Sequence, residues 1–253
     1  MAIIDRWLNT LSNDQQLIDS WKKKASIQED LLKNKETTHT KQYFSDYKIP
    51  KPSYSIFSLG HNQFNLNYVF SGDKFERSFI GYEGDKFTEL VIEGISLHED
   101  GLTATVELSG PNKLKLFSFA SDYFLSSERY EKFQIKTKVK LYGWALSLSH
   151  QDSPPKIKQK NGKLITTAGS SILLPKHSKN IDEYVYQFNV HNVEEISFEN
   201  SISIYSFSTW LASFSEMNIP LQLFASERVV QGAYSPKNGD DVFGMMILCC
   251  NLA

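Results

Sequence analysis

Lysine and aromatic residues alternate between positions 136 and 144 of the chain. The residues concerned are Lys136, Lys138, Lys140, Tyr142 and Trp144. Alternate residues of a β-strand lie on one face of the strand, so this spacing would place all five side chains together. Cations beside exposed aromatic rings are typical of single-stranded nucleic acid binding, in which lysines contact phosphates and bases stack on the rings.

A break that contains two prolines, from Gln151 to Gly162, adds further lysines to this basic region. The nucleic-acid hypothesis therefore assigns binding to residues of the strand and of the break. They are Lys138, Lys140, Tyr142, Trp144, Lys156, Lys158 and Lys160. A second interpretation stays open, in which Tyr142 and Trp144 belong to the hydrophobic core and the strand turns only its lysine-bearing end into water.

The motifs of common enzyme classes are missing from the sequence. There is no Gly-x-Ser-x-Gly nucleophile turn, no His-Glu-x-x-His zinc motif and no glycine-rich phosphate loop. The six histidines fall at predicted turns or strand ends, and none is at metal-ligand spacing from another. We therefore predict no catalytic site, no metal site and no cofactor. An enzyme with an unfamiliar set of residues stays open, because catalytic groups assemble from distant positions.

The two cysteines of the chain are adjacent, at Cys249 and Cys250. Neighbouring side chains of a strand point to opposite faces, which is poor geometry for a mutual disulfide. The sequence predicts a buried thiol in a C-terminal strand, because a free cysteine packs as a small hydrophobic residue.

The charge of the chain is nearly balanced, with 27 Lys and Arg residues, 29 Asp and Glu residues and a pI near 6.3. A protein of this net charge has no global field that attracts phosphate backbones. The N-terminus carries Asp5 and lacks an apolar run of signal-peptide length. The apolar stretch Met245 to Cys250 is too short to cross a bilayer. We predict a cytoplasmic protein with no membrane partner.

The first 36 residues have the apolar spacing of helices. Ser12 followed by Gln15 matches a capping box, which predicts a second helix start or a break there. Residues 37–42 are polar and aperiodic, and we interpret them as a linker.

From Tyr43 onward, short runs rich in β-branched and aromatic residues alternate with turn residues, which predicts strands. The predicted strands are Tyr54 to Leu59, Phe64 to Phe70, Phe75 to Tyr82, Phe87 to Leu97, Leu102 to Leu108, Leu114 to Ala120, Phe133 to Leu148, Leu164 to Thr167, Ile172 to Leu174, Tyr184 to Val193, Ser201 to Phe207, Leu221 to Ala225 and Val242 to Leu248. Asp100 and Gly101 form the best hairpin signal. The segment Ser208 to Glu216 is predicted as a short helix.

A weak internal repeat runs through the β-rich part. The segment Phe119 to Asp122 recurs as Phe224 to Glu227, and Val139 to Leu146 resembles Asp241 to Ile247. Chance similarity between β-rich segments is the alternative explanation. The run that begins at Gly239 resembles the closing strand of an OB-fold-like barrel.

These patterns predict a mainly β protein with two small OB-like or sandwich-like β units after an N-terminal helical segment. The two units are either an internal duplication or similar by chance. The predicted boundaries are 1–42 for the helical segment and linker, 43–150 for β unit 1, 151–162 for a linker or long loop, and 163–253 for β unit 2. The aromatic-rich strands and the lack of catalytic motifs favour a non-enzymatic binding protein with a protein partner, in an inhibitor, immunity or assembly role. The alternative is a single-stranded nucleic-acid-binding protein. The oligomeric state is left open.

Overall fold

The computed structural model describes residues 10, 11, 16, 19, 20, 23, 54–60, 63–71, 74–98, 103–132, 135–150, 156–158, 164–176, 181–198, 202–214, 217–232 and 234–253. The chain divides into two compact units, 1–84 and 85–253. The six residues described before position 54 are helical. The rest of the predicted helical segment and its linker lie outside the described residues.

The first unit contains an antiparallel sheet with strand order β1-β2-β3. Its strands are β1 (Tyr54–Gly60), β2 (Phe64–Ser71) and β3 (Lys74–Tyr82). The central strand β2 is buried on both faces from Phe64 to Phe70, apart from the half-buried Asn65. One face of β2 carries Phe64, Leu66, Tyr68 and Phe70. The other face begins with Asn65 and Asn67, and Asn67 Nδ2 donates a hydrogen bond to Asn65 Oδ1 at 2.8 Å.

Among its described residues, the second unit contains twelve strands and one α-helix. They are β4 (Thr88–Leu97), β5 (Ala104–Ser109), β6 (Lys115–Ala120), α1 (Tyr123–Tyr130), β7 (Lys136–His150), β8 (Lys156–Lys158), β9 (Leu164–Thr166), β10 (Ile172–Pro175), β11 (Glu183–Asn189), β12 (His191–Phe198), β13 (Ile202–Phe214), β14 (Met217–Ser226) and β15 (Asp241–Leu252). Ten strands form one sheet of order β10-β11-β15-β6-β5-β4-β7-β14-β13-β12, and β8 pairs with β9. The protein is therefore mainly β.

Strands β4, β5, β6, β15 and β7 form a closed circuit of hydrogen-bonded pairs. Four of the five pairings are antiparallel. The pairing of β6 with β15 is parallel and joins Phe119 to Cys249 and Ala120 to Cys250. Helix α1 lies in the chain between β6 and β7.

A second circuit uses the same two long strands, β7 and β15. It runs from β11 through β15, β7, β14 and β13 to β12. It closes through the chain itself, because only Val190 separates β11 from β12. The pairing of β14 with β7 is parallel, from Gln222–Tyr142 to Phe224–Trp144. Both circuits therefore depend on the β7–β15 pair.

One continuous hydrophobic core serves both circuits. It includes Leu90 and Val106 from the first circuit, Tyr186 and Leu221 from the second, and Leu141 from the shared strand β7. The apolar residues of a two-layer or closed sheet must face one another to leave water. The alternation in these strands therefore determines which face of each strand enters the core.

Twelve of the thirteen predicted strands each overlap one observed strand. The predicted strand Tyr184 to Val193 corresponds instead to two, β11 and the start of β12, which are separated at Val190. The structure differs at three other points. The segment Ser208 to Glu216 was predicted as a short helix, whereas Ser208–Phe214 continues β13 and pairs with β14. Cross-strand pairing outweighs the weak helical spacing of its apolar residues. Helix α1 had no predicted counterpart. Strand β8 falls within the predicted break 151–162. The predicted domain boundaries stay a prediction.

Candidate binding surfaces

The structure separates the residues of the predicted nucleic-acid site. Lys138 is exposed and Lys140 is half-buried, whereas Tyr142 and Trp144 have no exposed surface. Lys156 and Lys158 lie on β8, where the structure describes their backbone only. Lys160 lies outside the described residues. Neither buried ring offers a face to a base, so the open interpretation of Tyr142 and Trp144 as core residues matches their burial.

Trp144 has no exposed surface, and the residues paired with it on either edge are fully buried as well. It is paired with Phe224 of β14 on one edge and with Ile247 of β15 on the other. The Trp144 and Phe224 rings have centroids 6.0 Å apart in a tilted arrangement, which is favourable for aromatic pairs. Burial also raises the pKa of the Tyr142 hydroxyl well above its usual value. The lysine-bearing end of β7 pairs with β4 on one edge and with β15 on the other.

An apolar patch covers the outer face of β10, β11 and β15. We call this set the outer patch: Ile172, Leu174, Val185, Phe243 and Met245. Leu174 is paired with Val185, and Val185 with Met245, so these three side chains lie in one row on one face. Ile172, Gln187 and Phe243 form the next row on the same face. Leu174 is 57% exposed, Val185 44% and Phe243 37%.

A cavity of about 380 Å³ opens within the outer patch. It is lined by Ile172, Val185, Phe243 and Met245, with the polar groups of Ser147 and Gln187. The Gln187 amide is held by Thr167, which accepts from Nε2 at 2.7 Å through its carbonyl oxygen. Tyr186 and Gly244 complete its lining. Its volume is within the range of small-ligand and side-chain pockets.

A smaller cavity, of about 180 Å³, is lined by the segment before β4 and by β12, β13 and β14. We call it the junction pocket, and its lining includes Lys86, His191, Ser208, Trp210 and Pro220. Lys86 Nζ donates a hydrogen bond to Ser208 Oγ at 2.7 Å. Trp210 is 41% exposed, which is unusual for so large a ring.

A second lysine–aromatic pair adjoins the junction pocket along the chain. Phe87 follows Lys86 directly and is 44% exposed. Lys138 Nζ lies 4.7 Å from the centroid of the Phe87 ring, within the range of a cation–π interaction. Lys138 was part of the predicted nucleic-acid site. Its aromatic neighbour is thus Phe87, from another strand end, in place of Tyr142 or Trp144.

Buried titratable groups cluster where α1 meets β15. Tyr130 Oη donates a hydrogen bond to Asp122 Oδ1, and the Leu252 amide donates to Asp122 Oδ2 at 3.0 Å. Cys249 and Cys250 are both buried free thiols, and burial raises the pKa of each. A raised pKa disfavours the reactive thiolate. Neither cavity described above is lined by this cluster, so it acts as a structural anchor of α1.

Asp122 makes the stability of the fold depend on pH. Burial raises its pKa above the ordinary 3.8, although the Tyr130 and Leu252 hydrogen bonds oppose the shift. The folded protein therefore holds this proton more tightly than the unfolded chain does. The protonated Asp122 carboxyl therefore stabilises the folded state. This contribution is complete below pH 3.8, the ordinary pKa of the group, and is lost as the pH rises through the raised pKa of the folded protein. We expect the unfolding free energy of the native chain, relative to Asp122→Asn, to fall across that window.

Urea unfolding of both proteins at a series of pH values measures this difference. Taking the difference removes the contribution of the other carboxylates, because both chains share them. A difference that stays constant or grows as the pH rises would contradict the assignment.

Metal ligands do not gather in the part of the chain that the structure describes, where no group of three or more His, Cys, Asp or Glu side chains could hold an ion. Among the same residues, no helix has the length and apolar character needed to span a bilayer. The chain matches no known family, no curated protein and no solved structure.

The residues of the outer patch and the junction pocket were not predicted from the sequence as binding residues. One signal was available for the outer patch, since the run Tyr184, Val185, Tyr186 is apolar at successive positions. A strand with one solvated face would place a polar residue at position 185. No local signal exists for the junction pocket, because Lys86 and Trp210 are far apart in sequence.

Proposed function

We propose that each circuit of strands is an OB-like barrel and that the two arose by internal duplication. The OB-fold is a five-stranded Greek-key barrel. The first circuit consists of the antiparallel strands β4, β5 and β6, followed in the chain by helix α1 and then by β7 and β15. The parallel pairing of β6 with β15 closes it. The second circuit has a corresponding parallel pair, β14 with β7.

The weak sequence repeat supports this proposal. Phe119 lies near the end of β6 and Phe224 near the end of β14. Each is the residue through which its strand pairs in parallel with a shared strand, Phe119 with Cys249 of β15 and Phe224 with Trp144 of β7. Similar residues thus occupy equivalent positions in the two circuits.

The outer patch favours a protein partner. A sheet face in contact with water carries mainly polar side chains, whereas five of the six outward positions in its two rows are apolar. Contiguous exposed apolar surface is typical of protein interfaces. Strand β10 is the last strand of the ten-stranded sheet, so within the described residues its outer edge has no neighbouring strand. Such an edge can pair with an added strand.

The function that this geometry supports best is therefore that of a non-enzymatic, cytoplasmic binding protein. Its partner is a protein that contributes an extended apolar segment, which pairs with β10 and covers the outer patch. The observation that carries the proposal is the same-face exposure of Leu174, Val185 and Phe243. An inhibitor, immunity or assembly role is consistent with such an interface.

The double variant Leu174→Asp, Val185→Asp tests the proposal. Two carboxylates at the centre of the interface would be desolvated on binding, and central interface residues cost about 2 kcal/mol or more when altered. We expect a loss of partner affinity of about 30-fold or more. The measurement is quantitative capture from lysate of the producing cells, followed by calorimetric titration with the purified partner. Leu97→Asp is the control, because Leu97 is 59% exposed on β4.

Two results would contradict this function. In the first, the double variant and the control retain the same set of proteins as the native chain. In the second, light scattering shows that the native chain only self-associates through the outer patch. Circular dichroism spectra of all three chains establish that the substitutions leave the fold intact.

A further inference from the structure

Two aromatic rings and two lysines adjoin one another at the junction between the two circuits. Trp210 and Lys86 line the junction pocket, and Phe87 and Lys138 form the cation–π pair. Ser208, which accepts the Lys86 hydrogen bond, is paired with Gln222 of β14, and Gln222 is paired with Tyr142 of β7. Trp210 and Lys138 are an even number of residues from Ser208 and Tyr142, so they lie on this same face of the sheet. The two lysine–aromatic pairs therefore share one face, although their members come from three separate segments of the chain.

Both lysines keep hydrogen-bonding capacity for a ligand. An ammonium group has three donors, and Lys86 is observed to use one of them on Ser208. The same bond fixes the Lys86 ammonium at the rim of the junction pocket, which lowers the entropy cost of using it again. Lys138 lies over the Phe87 ring and its side chain is exposed.

Lysines are concentrated at this surface. Lys136, Lys138 and Lys140 alternate on one face of β7, and Lys86 adds a fourth cation. Exposed carboxylates accompany them: Asp85 is next to Lys86, Glu89 is opposite Lys138 on β4, and Glu93 and Glu194 lie further along β4 and β12. Attraction of a polyanion therefore depends on direct lysine–phosphate contacts, which salt weakens.

We propose that this junction surface, formed by Lys86, Phe87, Lys138 and Trp210, binds single-stranded nucleic acid. Trp210 and Phe87 each stack with one base, and Lys86 and Lys138 contact the phosphates beside them. Two consecutive platforms suit a strand rather than a free nucleotide, which would occupy only one. A duplex cannot bind in this way because its base faces are already stacked on one another.

This site is independent of the protein-binding function and of the outer patch. It also differs from the site predicted from the sequence, because Tyr142 and Trp144 are buried and take no part in it. Exposed tryptophan beside fixed lysine is typical of sequence-tolerant strand binding. The preference among bases is therefore expected to be small.

Fluorescence anisotropy with labelled twelve-residue oligothymidylate, at several salt concentrations, tests the proposal on the full chain. Trp210→Ala should weaken binding about ten-fold because one stacking platform is lost, whereas Trp210→Phe should retain most of the affinity. Lys86→Met should lower the slope of log affinity against log salt by about 0.7, the value for one phosphate contact on a single strand. Lys237→Met is the matched control, because Lys237 is an exposed lysine outside the surface.

Competition by thymidine monophosphate and by a twelve-base-pair duplex tests whether the surface prefers a single strand to a free nucleotide or to double-stranded DNA. The proposal predicts that the oligonucleotide binds more tightly than either competitor. It is overturned if the oligonucleotide does not bind at low salt, or if the monophosphate or the duplex competes equally well. It is also overturned if Trp210→Ala and Lys86→Met behave like Lys237→Met. Leu174→Asp, Val185→Asp should leave this binding unchanged, so a failure here is distinguishable from a failure of the protein-partner proposal.

Discussion

Replacing Trp144 by alanine will lower the free energy of unfolding by about 3–5 kcal/mol, the range measured for fully buried large aromatic residues. Trp144 has no exposed surface, contacts Phe224, and lies on the strand that both circuits share. Removing the indole leaves a cavity that the paired backbones on either side cannot collapse to fill. Chemical denaturation followed by circular dichroism measures the loss as a lower transition midpoint.

Trp210→Ala is the matched control for this substitution. Trp210 is 41% exposed, so its removal opens no closed cavity, and we expect a change of less than about 1 kcal/mol. Comparing the two variants also tests whether Trp144 belongs to the core or to an exposed nucleic-acid site, the two interpretations of the alternating lysine and aromatic residues. Equal small effects at both tryptophans would contradict the core role of Trp144.

Replacing Gly244 by alanine will destabilise the protein by about 2–3 kcal/mol, at the upper end of the range for overpacking. A Cβ atom built at Gly244 would lie 2.0 Å from the Ser147 carbonyl oxygen, which belongs to the backbone of β7. Gly244 is paired with Leu148 of β7 and Tyr186 of β11, so it has a strand on each edge. The clash is relieved only if β15 and β7 separate, and thermal or chemical denaturation measures the cost.

Gly94→Ala is the control for this prediction. A Cβ atom at Gly94 would meet the Glu107 side chain at 3.6 Å, which is ordinary contact. We expect this variant to be neutral or slightly stabilised, by up to about 1 kcal/mol, because alanine restricts the unfolded chain. A Gly244→Ala protein as stable as Gly94→Ala would contradict the close approach of β7 and β15.

Most strands were predictable from the sequence because their signal is local. Alternation of apolar and polar residues between turn residues located β4 through Leu97 and β6 through Ala120. The segment 208–214 was predicted incorrectly because its apolar spacing also fits a helix, and only pairing with β14 selects the strand. Helix α1 was missed because its eight residues are too few to show a helical repeat.

The candidate sites were less predictable than the strands. Lys138 was assigned to a binding surface from its spacing and is exposed, but the rings assigned with it are buried. Spacing on a strand determines which side chains share a face. It does not determine whether that face meets water, because this depends on which distant parts of the chain pack against the face.

The sequence by itself determined a mainly β protein and the positions of most of its strands. These properties follow from local alternation and composition. Only the tertiary structure decided that β7 and β15 serve both circuits, that Trp144 is buried while Trp210 is exposed, and that Lys86 meets Ser208. The physical reason is that burial and proximity depend on pairings between residues about 100 positions apart, which local patterns do not encode.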